Sequence, residues 1–348
     1  MSRRPMILGL FLLLALGSLV GLMFSGSGLK PEHTIRIAML GSVNDEDYDG
    51  AMAFKEYVER TTSNRLKVEL YPSGQFCASE RECLEGLQSG VLQVFMFTTG
   101  GFGSVYGPGQ VLDLPYSFRN DAIAECVLDG PLVAELGDTI RKAGVGLRFM
   151  TASNTGGWRN FATTDRPIRS PKDIRNLKIR TITAPLQQEL VSQLGGNPTP
   201  VSWPEVYTAL ATGVVNGTKN GIHDIVSMQL HEQIKFVTLD GHAYMGGLWW
   251  FSETSWLTLS VNEQEVVREG FRRLREVTRS AIKRWEADSY ETFEKSGGEL
   301  IRLDRAVKDE FRLGVSGVRD WYRRTYGDHW LNKLDIALED CEKLISQK

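Results

Sequence analysis

Short runs of apolar and β-branched residues alternate along the chain with stretches whose apolar positions recur every three or four residues. Ile35-Arg36-Ile37-Ala38-Met39 reads as a strand, and Ala51, Phe54, Tyr57 and Val58 share one face of a helix. Leu66-Lys67-Val68-Glu69-Leu70 alternates as a second strand and runs into the turn chemistry of Tyr71-Pro72-Ser73-Gly74. Ser79-Glu80-Arg81-Glu82 has the Ser-x-x-Glu form of a capping box, so a helix begins at Ser79. Val91 to Phe97 is nearly all apolar, the mark of a strand buried on both faces. Val145 to Met150 and Leu177 to Thr181 are further strands, with a helix through Leu186, Leu190 and Leu194 after the second. Ser202-Trp203-Pro204-Glu205 is another capping box, opening a helix that runs to about Ala211. The longest helical pattern, Glu263 to Phe293, keeps Val267, Phe271, Leu274, Val277, Ile282 and Trp285 on one stripe and stops at Gly297-Gly298. This alternation predicts an α/β fold around a mainly parallel sheet. No Pro/Gly/Ser linker divides the chain, so two domains would exchange it more than once.

The N-terminus follows another rule. Arg3 and Arg4 precede an apolar run from Met6 to Met23, the order of an export signal. The run approaches the roughly 20 residues that span a bilayer, so residues 1–28 are either a cleaved signal peptide or an uncleaved N-terminal anchor. Both place the rest outside the cytoplasm. Hydrophobic residues at 42% and charged residues at 24% describe an ordinary globular chain, and a formal charge of −3 gives no electrostatic reason to expect nucleic acid.

The cysteines suit an oxidising compartment. Cys83 sits one turn inside the helix capped by Ser79, and Cys77 lies two residues before the cap. A Cys77–Cys83 disulfide is sterically reasonable there and would contribute about 2 kcal/mol by loop closure; two buried thiols are the alternative. The pairing of Cys126 and Cys341 stays open. No Cys-x-x-Cys occurs, which disfavours zinc and thioredoxin-like chemistry.

Enzyme signatures are lacking. His231-Glu232-Gln233-Ile234-Lys235 places lysine where the second zinc ligand of His-Glu-x-x-His belongs, and there is no phosphate loop or Gly-x-Ser-x-Gly elbow. His223, Asp224, His231 and His242 fit no metal-ligand spacing, and ordinary polar contacts account for them. Neither a catalytic residue, a metal nor a cofactor is expected. The informative residue is Arg180, at the C-terminal end of the strand Leu177 to Thr181, where open α/β sheets present ligand contacts. A guanidinium binds carboxylate through a planar, bidentate fork. From pattern alone, a surface arginine paired with a nearby acid explains it better.

The ordered motifs from Tyr71 to Asn220 resemble the DctP family, the periplasmic receptors of TRAP transporters. Tyr71-Pro72-Ser73-Gly74-Gln75, Leu87-Gln88-Ser89-Gly90, Leu112-Asp113-Leu114-Pro115-Tyr116, Asn176-Leu177-Lys178-Ile179-Arg180 and Gly213 to Asn220 carry the likeness. It implies a two-lobed periplasmic-binding-protein-like fold with mixed sheets, a ligand cleft between the lobes and a long helix spanning both. Residues 29–155 with 244–280 would form lobe I, and 156–243 with 281–348 lobe II. Carried over position by position, it implies that Arg180 clamps a ligand carboxylate and that Arg159 is a second polar contact. Trp203 packs on the ligand, Asn220 offers an amide, and Thr99 and Tyr244 complete the candidate site. The expected role is an exported receptor that delivers a small organic acid to the TRAP permease subunits, with no membrane contact except through them or an uncleaved N-terminal segment. A ligand-sensing ectodomain held by that segment, or an exported enzyme, is the rival. Thr181-Ile182-Thr183 before Pro185, and Gly221-Ile222-His223 after Asn220, depart from the family pattern. Leu40 and Thr98-Thr99-Gly100 lack the polar and acidic contacts of sialic-acid receptors and argue against that ligand.

Overall fold

The computed structural model describes residues 31–347. The signal or anchor expected at 1–28 lies outside them. Among the described residues, no helix is long and apolar enough to cross a membrane.

The chain begins β1 (His33–Ala38), α1 (Glu46–Thr61), β2 (Leu66–Tyr71), α2 (Glu80–Ser89), β3 (Val94–Thr98). Ser79 caps α2 by accepting from the Glu82 N–H, and Gly90 ends it in the left-handed region that favours glycine. Asp45 caps α1 in the same way, accepting from the Asp47 N–H. The strand expected from Val91 begins three residues later, because Val91 is exposed while Val94 is buried. Next come α3 (Asp121–Asp129), α4 (Pro131–Lys142), β4 (Leu147–Thr163), β5 (Lys178–Thr181), α5 (Pro185–Gln193), β6 (Asn197–Pro200), α6 (Val206–Ala211), β7 (Gly217–Asn220) and α7 (Ile222–Ser227). The box at Ser202 forms differently from expectation. The Ser202 hydroxyl donates to the Glu205 carboxylate at 2.6 Å over a 3-10 turn, and α6 starts only after it. The chain closes with β8 (Phe236–Ser252), α8 (Glu253–Trp256), α9 (Val261–Lys295), β9 (Glu299–Ile301), α10 (Arg305–Gly314), α11 (Gly317–Tyr326) and α12 (His329–Ser346).

The sheet is mixed rather than mainly parallel. Its order is β2-β1-β3-β8-β4-β7-β5-β6, with β9 beside β8. The outer groups β2-β1-β3 and β7-β5-β6 pair in parallel, while the two 17-residue strands β4 and β8 run antiparallel between them. Leu147–Asn154 pairs with Gly246–Ser252, and Trp158–Thr163 with Phe236–Tyr244. The register shifts between Asn154 and Trp158, where Gly156 and Gly157 have φ of 102° and 80°. At that crossing the Asn154 side chain accepts from the Gly157 N–H at 2.8 Å.

The long helix α9 joins two cores. Near its start, Val267, Phe271 and Leu274 pack with Ala51, Phe54 and Val58 of α1; near its end, Phe293 packs with Val206, Leu210 and Ile225. The approach to α1 is close, since a Cβ on Gly270 would lie 2.8 Å from the Phe54 ring. Cys77 and Cys83 are bonded, with Cα atoms 5.3 Å apart. Cys126 and Cys341 are bonded as well and tie α3 to α12, closing a loop worth about 5 kcal/mol of chain entropy. Trp249, Trp250 and Trp256 are fully buried core residues.

Candidate ligand-binding site

Between the lobes lies a cavity of about 750 Å³, in the range of small-molecule sites. Its lining comes from the β1–α1 connection, the start of α2 and the end of β3, and from Arg159, the end of β5, the turn at Trp203, and Asn220 with Asp224.

One wall is basic. Arg180 is the third of the four residues of the inner strand β5 and is 4% exposed rather than open to water. Its Nε donates to the Val201 carbonyl at 2.9 Å, and its guanidinium carbon lies 5.4 Å from the Trp203 ring centroid. Burial, then the neighbouring Arg159, lowers its pKa to about 9, so it stays charged at neutral pH. Arg159, on β4, donates to the Lys219 carbonyl at 3.1 Å and lies 3.9 Å from Asp113. Its Nε and Nη2, although buried, have no hydrogen-bond partner. Behind it Gln187 links Asp113 to Lys219, whose pKa falls to about 7 through burial and then Arg159. Glu80, half-buried at the start of α2, faces the arginines; burial raises its carboxyl to about 7 against their pull.

Another part of the lining is acidic. Asp45 and Asp47 at the start of α1, and Asp224 on α7, all line the cavity and are buried. Asp47 Oδ2 accepts from Thr155 Oγ1 at 2.7 Å, while its Oδ1 has no partner. Asp224 accepts from the Asn220 amide at 3.1 Å and from the Gly221 N–H at 3.3 Å. Glu46 is fully buried behind them with both oxygens unpartnered, 3.7 Å from His223. Burial, then mutual repulsion, pushes Asp45 up to about 7 and holds Glu46 and Asp47 well above the usual carboxylate range. Burial also raises Asp224. The carboxylates of Asp45, Glu46 and Asp47 lie within 4.8 Å of one another, close enough to share a hard cation.

Of the residues singled out from sequence, Arg180, Arg159, Trp203 and Asn220 come together on this cavity. Asn220 is partly committed, since its Oδ1 accepts from Thr218 at 2.7 Å and its Nδ2 donates to Asp224. Thr99 and Tyr244 do not line it. Thr99 is buried and donates to the Tyr244 carbonyl at 3.4 Å, and the Tyr244 hydroxyl donates to Glu125 at 3.4 Å. Strand alternation is the reason: their neighbours Thr98 and Met245 take the cavity face. Glu80, Asp45 and Asp47 were not singled out. Three acids at a helix start read as ordinary complements to the helix dipole, and only their burial marks them.

Two lobes, crossing strands and a cavity between them define a class: the solute receptors that capture a small molecule at the junction. Residues 37–324 match the DctP family model, described as bacterial extracellular solute-binding protein, family 7, and the chain belongs to that family, whose members are receptors and not enzymes. It is 30% identical over 312 residues to the ectoine-binding periplasmic protein TeaA of Halomonas elongata, covering 87% of this chain and 90% of that one. A TRAP periplasmic solute-binding protein of Anaerococcus prevotii with bound D-glucuronate superposes with a TM-score of 0.83 at 25% identity, covering 90% of this chain and 99% of the other. One from Polaromonas, bound to D-erythronate, gives 0.81 at 25% identity, over 87% and 98%.

Proposed function

We propose that this protein is the periplasmic receptor of a TRAP transporter, capturing a small organic acid by closure of its lobes and delivering it to the membrane permease. The observation that carries the reading is the pair of buried arginines on one cavity, with Arg159 Nε and Nη2 unpartnered. Buried donors without acceptors are costly, and a carboxylate supplies paired acceptors in the geometry a guanidinium forks onto. Each arginine is aimed from behind by a backbone carbonyl, so little freedom is lost on binding. The named ligands of the glucuronate and erythronate relatives, both sugar acids, support the same chemistry.

The lobes are assigned as 31–155 with 244–280, and 156–243 with 281–347. Within the second set, α12 reaches back to the first lobe through Cys126–Cys341. Closure is rotation about the crossings of β4 and β8, and the ligand stabilises the closed state by its differential affinity for it.

A thermal-shift screen of carboxylates tests this function. A ligand at a hundred times its dissociation constant should stabilise the protein by about 2.7 kcal/mol. A response confined to neutral sugars would sink the carboxylate reading, and turnover of the identified ligand would sink the receptor reading.

A further inference from the structure

Binding a carboxylate at the arginines leaves the acidic part of the same cavity lining without a role. Asp45 and Asp47 are 6% and 4% exposed, line the cavity, and have no cationic side chain hydrogen-bonded to them among the described residues. Asp47 Oδ1 is a buried acceptor with nothing to accept from. A wall built for a second carboxylate would present donors. This one presents buried carboxylate oxygens, which accept from O–H and N–H groups alike, and their uncompensated charge calls for a cation.

We propose that the ligand is zwitterionic: an amino or amidino carboxylate whose carboxylate meets Arg180 and Arg159 while its N–H-bearing cation sits against Asp47 and Asp45. The inference rests on the carboxylate-receptor reading and adds the charge of the ligand's other end. A metal ion fits the wall less well. One oxygen of each aspartate is already engaged, Asp45 Oδ1 by the Asp47 N–H and Asp47 Oδ2 by Thr155. Glu46, the third possible ligand, lies behind the wall rather than on it. That leaves fewer cavity-facing oxygens than the six to eight a calcium ion takes. A cation carrying N–H groups needs only two or three acceptors, and Met39, Leu40 and Met245 give its carbon stem apolar surface. A quaternary ammonium, without N–H, leaves Asp47 Oδ1 unsatisfied.

Calorimetric titration at pH 7.5 with matched probes tests the charge pattern: 4-aminobutanoate, butanoate, butanedioate and 4-(trimethylammonio)butanoate, together with the five-carbon set. Within the better set the amino member should bind at least about tenfold tighter than the unsubstituted and trimethylated members, the worth of one charge-assisted hydrogen bond. Asp47→Asn, which keeps an acceptor for Thr155, should collapse that ratio to about twofold. Asp45→Asn, which keeps the helix cap, should reduce it in the same direction. The inference is overturned if the dicarboxylate or the unsubstituted acid binds as tightly as the amino acid. It is equally overturned if the preference survives both substitutions, or if carboxylate binding requires calcium and is lost with chelator. A protein that answers to sugar acids or dicarboxylates but to no amino carboxylate refutes the zwitterion and leaves the receptor standing. One that answers to no carboxylate refutes both.

Discussion

The two walls of the cavity hold opposite charges by opposite ends of the backbone. The arginines are aimed by carbonyl oxygens, those of Val201 and Lys219, whereas Asp45 and Asp47 sit at the N-terminus of α1 among its free N–H groups. Their permanence differs. Arg180, though lowered to about 9, is charged throughout the physiological range; Asp45, raised to about 7, is not. Burial acts on both, but a guanidinium starts so far from neutrality that it can be shifted and remain ionised. One wall is a fixed charge and the other a conditional one.

Removing the fixed charge should have the largest effect. Arg180→Ala is expected to lose on the order of 3 kcal/mol of binding to the cognate acid, more than a hundredfold, in calorimetric titration. Folding should survive, because a desolvated cation with one backbone partner contributes little to stability. Affinity equal to wild type would mean that the carboxylate sits elsewhere. Arg180→Lys should lose about tenfold, since an ammonium keeps the charge and not the fork.

Glu80 adds a conditional charge to the fixed wall. Its carboxyl, raised to about 7, repels an incoming carboxylate only when ionised. For a carboxylate without a cationic tail, affinity should therefore rise as pH falls from 8 to 6, by at most about tenfold per pH unit for one linked proton. Glu80→Gln should bind more tightly at pH 8 and flatten this profile; an unchanged slope would assign the linkage to other groups.

The smallest effect is on the free protein. Asp45 and Glu80 ionise near 7 in the folded state but near 3.8 and 4.5 when unfolded. Between those values the folded state binds more protons, so stability should fall as pH rises from about 4 to about 7. Around Asp45 the facing groups are Glu46, Asp47 and Asp49 on its own helix and His223 and Asp224 on α7; His223 is lowered by burial, so no extra cation offsets the loss. Asp45→Asn should shallow the slope in denaturant titrations at pH 5 and 7, and a slope equal to wild type would count against its raised pKa.

Sequence pattern reached the fixed wall and missed the conditional one. Arg180 announces itself as a cation on an inner strand flanked by apolar residues, and the ordered motifs point to the same residue. Nothing in Asp45-Glu46-Asp47 says that α7 and β4 will cover it, because that burial comes from residues more than a hundred positions away. Of the outer parallel strands, β1, β2, β3 and β5 were legible from pattern, as was α9, whereas the four-residue β6 and β7 were not. The central strands were not: β4 runs on through Thr151, Ser153, Asn154 and Thr155, and β8 through Asp240 and His242, all buried. Polar side chains buried in a sheet's interior look, in one dimension, like loop. Thr99 and Tyr244 each sit one residue from a cavity-lining neighbour, Thr98 and Met245, which in a strand is the difference between one face and the other.

Trp203 gives the molecule its own optical readout. Of the eight tryptophans it alone lines the cavity, where its indole lies beside the Arg180 guanidinium; the other seven lie elsewhere in the fold. A solute that draws the guanidinium toward itself changes the field and the water around this one chromophore. Occupancy should therefore be visible without a label, as a shift or quenching of intrinsic fluorescence that saturates with ligand. Trp203→Phe should abolish the signal while leaving the emission of the other seven in place, and a signal that persists in that variant would come from lobe movement sensed elsewhere.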